Sequence, residues 1–247
     1  MKPLLKIDQL VGGYTHKNVL HGISLDVYPK EIVGLIGLNG AGKSTTIKHV
    51  MGLMQAKQGS IYVNGKTYND DPTTYRHQMS YIPEVPILYD ELTLYEHLRL
   101  TAMAYNISES LFEKRLSPLL KEFKMEKQLH WFPVHFSKGM RQKVMIMCAF
   151  LIEPNLYIVD EPFVGLDPLG IQSYLQLMEE MKENGSGVLM STHILATAER
   201  YCDRFIILHE GTIRAQGTLT ELQDEFDMPR ATLDDLYVTL TKEDSHV

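Results

Sequence analysis

Two hydrophobic spacings alternate along the chain. Leu4–Leu10, Ile23–Val27 and Glu31–Ile36 carry the short apolar repeat of strands. Ser60–Val63 is a fourth such run, and Asn64-Gly65 after it suits a tight hairpin turn. Glu31–Ile36 leads through a glycine-rich stretch into Lys43–Met51, a predicted helix that Gly52 closes. From Leu92 the spacing becomes helical. Thr93 and Glu96 stand as a capping box for a helix to about Tyr105. Ser108–Phe123 continues the helical pattern, with a break or bend predicted near Pro118. Ser137 is placed as the N-cap of a helix to about Ile152.

Beyond that point the two spacings interleave. Leu156–Val159, Val188–Ser191 and Phe205–Leu208 read as strands, and Met79–Ile82 reads as another upstream. Pro168–Glu183 and Leu195–Tyr201 read as helices, the first with Asp167 before it and Gly185 after it. Glu210-Gly211 turns the chain into a last strand, Thr212–Gln216. Alternating strands and helices predict an α/β fold with a mostly parallel core sheet and antiparallel β elements beside it. The stretch 85–151 reads as a helical subdomain inserted between core segments 1–84 and 152–220. One domain is expected over 1–225, followed by an acidic tail over 226–247, and the chain after Thr218 reads as helical.

The chain's 247 residues suffice for one large α/β domain, and its 44% hydrophobic content is ordinary for a globular protein. A formal charge of −7 repels phosphate backbones, so no nucleic-acid partner is expected. Cys148 and Cys202 are expected to be a reduced pair. No basic-then-apolar leader stands at the start, so no signal peptide is expected. The longest apolar run, Val144–Ile152, is far short of the ~20 residues a bilayer span needs, so a membrane role requires another chain.

Gly37-Leu38-Asn39-Gly40-Ala41-Gly42-Lys43-Ser44 has the phosphate-binding loop pattern, between an apolar strand and a helix. The glycines let backbone N–H groups wrap an anion, and the helix adds its positive end. Lys43 is placed to reach outer phosphates and Ser44 to offer Mg²⁺ a hydroxyl, with Asn39 and Thr45 on the same loop. Leu156-Tyr157-Ile158-Val159 is an apolar strand ending in Asp160 and Glu161. Asp160 can orient Mg²⁺, and Glu161 can polarise an attacking water.

Shortly before that strand stands Phe136-Ser137-Lys138-Gly139-Met140-Arg141-Gln142. Three shorter matches accompany it: Gly165-Leu166-Asp167, Ser191-Thr192-His193 and Gly12-Gly13-Tyr14. Over nearly its whole length the chain resembles the ATP-binding cassette (ABC) ATPases, a branch of the P-loop NTPases. The resemblance implies ATP hydrolysis by a head-to-tail homodimer around two Mg-ATP. Ser137 and the Gly139 backbone would bind the γ-phosphate held by the opposite subunit, and Asp167 would lie in the loop crossing the interface. His193 would contact the γ-phosphate, and Tyr14 would stack on adenine. Lys138 and Met140 replace the family's usual glycine and glutamine, which removes an amide that could reach the ribose. Glu84 stands where the family usually has a glutamine that touches Mg²⁺; a carboxylate can ligate a hard cation but cannot donate a hydrogen bond.

The same resemblance implies a multi-span membrane subunit as partner, peripheral attachment at the cytoplasmic face of the membrane, and export as the direction of transport. Over 137–151 and 189–203 it is nearest to the Ecs-type transporters, which would make the partner an Ecs-type permease. The surface from Glu84 to Leu100 is the expected docking region, with Leu88, Tyr89, Leu92 and Tyr95 either as contacts or as packing of the helical subdomain. A soluble ABC ATPase acting on DNA or ribosomes is one alternative, and a P-loop kinase another, though a kinase needs an acceptor-binding lid and leaves Ser137, Gly139 and His193 unexplained. DNA-repair relatives insert long coiled coils where this chain has a compact helical stretch, and translation-type relatives carry two cassettes.

Overall fold

A computed structural model describes residues 1–242. Two sheets organise the chain. Strands β1 (Leu5–Gly12), β2 (Leu20–Val27) and β4 (Gln58–Val63) form an antiparallel sheet in the order β2-β1-β4. The second sheet contains β3 (Ile32–Ile36), β5 (Met79–Ile82), β6 (Leu156–Asp160), β7 (Gly187–Thr192), β8 (Arg204–His209) and β9 (Thr212–Gly217). Its order is β5-β6-β7-β3-β8-β9, parallel except for the edge strand β9. This agrees with the α/β reading.

Strands buried on both faces explain the continuous apolar runs of the parallel sheet. Every residue of β3, β6 and β7 is buried. Their alternate residues feed different cores. Val33, Leu35, Ile158 and Leu189 pack toward the antiparallel sheet and helix α1 (Lys43–Val50). Ile32, Tyr157, Val159, Val188 and Met190 pack toward the helical subdomain. That subdomain contains α3 (Leu94–Ala104), α4 (Glu109–Phe123) and α5 (Lys138–Ile152), with α6 (Pro168–Glu183) against the same core.

The predicted caps are present. Thr93 and Glu96 form a reciprocal capping box, Ser137 caps α5 through the Met140 N–H, and Asp167 caps α6 through the Gly170 N–H. Gly52, at φ 67°, closes α1, with Leu53 N–H on the Lys48 carbonyl and Gly52 N–H on that of His49. Two local expectations change. Helix α4 runs unbroken through Pro118, which lies on the exposed side, where solvent can serve the carbonyl left without a donor. Asn64 and Gly65, at φ 49° and 77°, do turn the chain, but only Val63 and Lys66 pair across them. The chain then enters α2 (Pro72–His77), a helix capped by Asp71 that the apolar spacing does not reveal.

Past β9, Thr218 caps α8 (Leu219–Glu225), and α9 (Leu233–Lys242) follows. The segment whose composition suggests an acidic tail is, in this helix, firmly packed. Leu233, Leu236 and Tyr237 are buried with Ile36, Phe205 and Ile207, and with Ala198 of α7 (Leu195–Tyr201). Asp234 and Asp235 face outward. The rest of the expected tail, 243–247, lies outside the described residues. Cys148 and Cys202 are free thiols.

Candidate functional site

The parallel register assembles the site. The carboxyl ends of β3, β7 and β6 lie side by side, with Ile36 paired to Thr192 and Ser191 paired to Asp160. The glycine-rich loop, the 191–193 segment and the two acids therefore meet at one edge of the sheet.

Inside the loop, Gly40 and Gly42 take φ of 89° and 114°, the left-handed region that favours glycine. A Cβ at Gly37 would stand 2.5 Å from the Leu208 carbonyl, so only glycine lets the loop leave β3 there. Tyr14, Val19, Leu38, Asn39, Gly40, Gly42, Lys43, Ser44 and Thr45 line a cavity of about 290 Å³. A larger groove, about 460 Å³, lies between α4 and α6 and holds neither Lys43 nor Glu161. Volume alone therefore does not single out the loop.

Lys43 is buried, and its Nζ donates to the Gly37 carbonyl at 2.7 Å and to the Leu38 carbonyl at 3.4 Å. Glu161 Oε1 lies 3.9 Å from the same ammonium. Burial pushes the lysine pKa down, while Glu161, then Asp160 and Glu84, push it up. Asp160 is buried and accepts from the Ser191 hydroxyl. Glu161 leaves the strand with a φ of 46°, a conformation costing of order 1–3 kcal/mol in a non-glycine residue. This turn brings its carboxylate to Thr192 Oγ1 at 3.2 Å and to His193 Nδ1 at 2.7 Å. His193 remains 45% exposed at its side chain, so it connects the buried acid to the surface.

Tyr14 is half exposed, and Lys48 holds it twice. Its hydroxyl accepts from Lys48 Nζ at 2.9 Å, and the same ammonium stands 5.3 Å from the ring centroid. That hydrogen bond lowers the phenol pKa against the opposing effect of burial. Glu84 is exposed in the loop after β5, and its charge acts on both Lys43 and Tyr81. Burial first, then Asp160 and Glu84, push the Tyr81 phenol up to about 12. Ser44, Asp160 and Glu84 offer only oxygen donors, which suits a hard cation such as Mg²⁺.

Ser137 and Gly139 do not line the phosphate-loop cavity. Ser137 is exposed; its oxygen accepts from Met140, leaving the hydroxyl proton to donate elsewhere. A Cβ on Gly139 would lie 2.6 Å from the Gly165 carbonyl, so this turn packs closely on the 161–167 loop. Asp167 is engaged within its own chain by Gly170 N–H and by Lys143 at 3.2 Å. The Gly170 bond, aided by Lys143, lowers its pKa.

Sequence reasoning missed four participants. Lys48 holds Tyr14, Thr192 holds Glu161, and the Tyr237 hydroxyl accepts from Leu38 N–H. Gln142, fully buried in α5, donates to the Pro83 carbonyl at 3.1 Å and so ties the Ser137 helix to the loop carrying Glu84. Thr192 and Gln142 stand inside motifs the sequence displays, but Lys48 and Tyr237 have no local signal. In the docking region, Leu88 and Tyr95 pack against the helical core, whereas Tyr89 is exposed. Val85 and Ile87 are exposed as well and extend that surface.

Comparisons with known proteins agree with the geometry. A family model described as ABC transporter matches residues 20–164. The chain is 66% identical to the ABC-type transporter ATP-binding protein EcsA of Bacillus subtilis, over 98% of both chains. A solved ATP-binding subunit of an ABC transporter superimposes with a TM-score of 0.95 at 60% identity, covering 97% of this chain and 100% of that one. The structure of cbiO1 from Clostridium perfringens, part of the ABC transporter complex cbiONQ, gives 0.78 at 25% identity, covering 99% of this chain and 97% of that one.

Proposed function

We infer the working form of this protein from one premise: the chain belongs to the ABC transporter family, as an ATP-binding subunit whose ATPase activity is coupled to transport. We propose that two copies face head to tail and enclose two Mg-ATP between them. The observation that carries this is the separation of two incomplete half-sites. Lys43, Asp160 and Glu161 form one buried cluster, while Ser137, exposed, and Gly139, part-exposed, lie outside the phosphate-loop cavity at a helix start that suits an anion.

In this reading Tyr14 stacks on adenine, and the amides of Gly37 to Thr45 take the phosphates. Lys43 exchanges the Gly37 carbonyl for phosphate oxygens. Mg²⁺ neutralises phosphate charge when bound, and Ser44, Asp160 and Glu84 are the residues that would hold it. Glu161 is the general base. Its carboxylate is engaged by His193 and Lys43. Recruitment of those two partners to the γ-phosphate leaves its carboxylate to polarise water. Asp167 lies at the dimer contact.

The transport partner is a multi-span membrane subunit. Among the described residues no helix is long and apolar enough to cross a membrane. The exposed Val85, Ile87 and Tyr89 beside Glu84 supply an apolar surface for a cytoplasmic segment of that partner. The Gln142–Pro83 bond gives that surface a direct connection to the Ser137 helix. By its likeness to EcsA the partner is an Ecs-type permease; the direction is export and the location the cytoplasmic face of the membrane.

The test is Glu161→Gln. Loss of the base should lower ATP turnover about 10²–10⁴-fold while ATP binding persists. The variant should also accumulate as an ATP-bound dimer, visible as a doubled mass in light scattering. Near-normal turnover would remove Glu161 from the role.

A further inference from the structure

The peptide unit between Gly37 and Leu38 is held on both edges. Its carbonyl accepts from Lys43 Nζ at 2.7 Å, and its N–H donates to Tyr237 Oη at 3.0 Å. The unit is trans, so the two bonds act on opposite sides of one plane. Tyr237 comes from 199 residues away, on α9, and is 4% exposed. Its helix is anchored independently: the Leu233 N–H at its start donates to Glu199 Oε2 at 2.7 Å. Glu199 lies on α7, the helix that begins two residues after His193. Helix α9 thus contacts the start of the phosphate loop and the helix behind the 191–193 segment.

We propose that Tyr237 is a positioning residue for the phosphate loop, and that α9 is part of the nucleotide-binding machinery. The proposal rests on the reading that this loop binds ATP. A glycine-rich loop loses much backbone freedom when it closes on an anion. Gly40, where an added Cβ would meet nothing within 4 Å, shows how little packing restrains the tip. Restraint has to come from the ends of the loop. At the far end the first turn of α1 supplies it, with Thr46 N–H and Oγ1 both on the Gly42 carbonyl. At the near end the Tyr237 hydroxyl supplies it by fixing the 37–38 plane and the carbonyl on which Lys43 rests. Donation by the N–H also strengthens that carbonyl as an acceptor. A loop so ordered binds phosphate with less entropy left to lose.

The decisive variant is Tyr237→Phe, which keeps the ring in its apolar site and deletes only the hydroxyl. Three quantities are measured on the full chain: the Kd for Mg-ADP, the exchange rate of the Leu38 amide proton by NMR, and the thermal midpoint. Loss of one hydrogen bond should weaken Mg-ADP about three- to tenfold and speed Leu38 exchange by a similar factor. Equal or tighter binding by the variant overturns the proposal. Weaker binding with unchanged Leu38 exchange also overturns it, because the effect would then come from altered packing. Should Tyr237→Phe fail to fold, Glu199→Ala removes the acceptor at the helix start without touching the ring. It should shift both Kd and Leu38 exchange in the same direction by a smaller factor, and no shift in either overturns the proposal. Failure of the unsubstituted chain to bind Mg-ADP would defeat the nucleotide reading itself. Leu38 exchange in the two proteins would still report on the clamp.

Discussion

The phosphate-loop cluster and the 137–139 turn are both polar, yet they differ in how completely the chain satisfies them. Lys43, Asp160 and Glu161 are buried, and each has a partner from another strand end or loop. Such charges can stay buried only because those partners offset the desolvation. Ser137 and Lys138 are exposed, and the Ser137 hydroxyl serves only its own helix cap. One cluster is finished by the register of the parallel sheet. The other has the geometry of an anion site but no anion partner within its own fold.

Three substitutions would break or sharpen that contrast. Ser137→Arg has the largest expected effect. It places bulk and positive charge on the exposed half-site and should lower ATP turnover about 10²–10³-fold, the usual consequence of losing a transition-state donor. Mg-ADP binding to the isolated chain should stay within about twofold of normal, since the buried cluster is untouched. Mixed with Lys43→Ala chains, these chains should recover activity from one intact site per mixed dimer. Complete absence of recovery would mean the two half-sites do not complement each other.

Glu84→Gln comes next. The carboxylate lies where it influences Lys43, so beside a bound nucleotide it adds negative charge unless a cation intervenes. ATP binding should therefore depend on Mg²⁺ more strongly in the unsubstituted chain than in the variant, by up to about tenfold at low salt and less at high salt. Titrations with and without Mg²⁺ decide it, and equal dependence in both proteins would leave Glu84 with no role at the metal. The smallest effect should come from Lys48→Met, which removes the hydrogen bond and the cation from Tyr14. Affinity for Mg-ADP should fall about two- to fivefold, with kcat nearly unchanged. An unchanged affinity would show that Tyr14 needs no such support.

The elements most legible in the chain are those with local causes. The glycine loop declares itself because φ near 90–114° at Gly40 and Gly42 excludes most other residues. The ends of α3, α5 and α6 declare themselves because Thr93, Ser137 and Asp167 bond to groups three residues on. The buried strands show as apolar runs, and two acids closing one of them beside a phosphate loop narrow the chemistry further. Less legible is α2, although Asp71-Pro72 is a recognisable helix start, because six residues are too few to show a period.

By itself, then, the sequence determined the parallel α/β class, the glycine-rich loop, the pair of acids and the Ser137-capped helix start, all of which depend on residues near one another in the chain. Tertiary structure alone decided what holds them. It put Thr192 and His193 on Glu161, Lys48 on Tyr14, Gln142 on the Glu84 loop and Tyr237 on the phosphate loop. It also packed the helix of the acidic C-terminal segment against Ile36. These contacts join residues 31 to 199 positions apart. No local period or spacing records such pairs, because they follow from strand order and from which face of each element is buried.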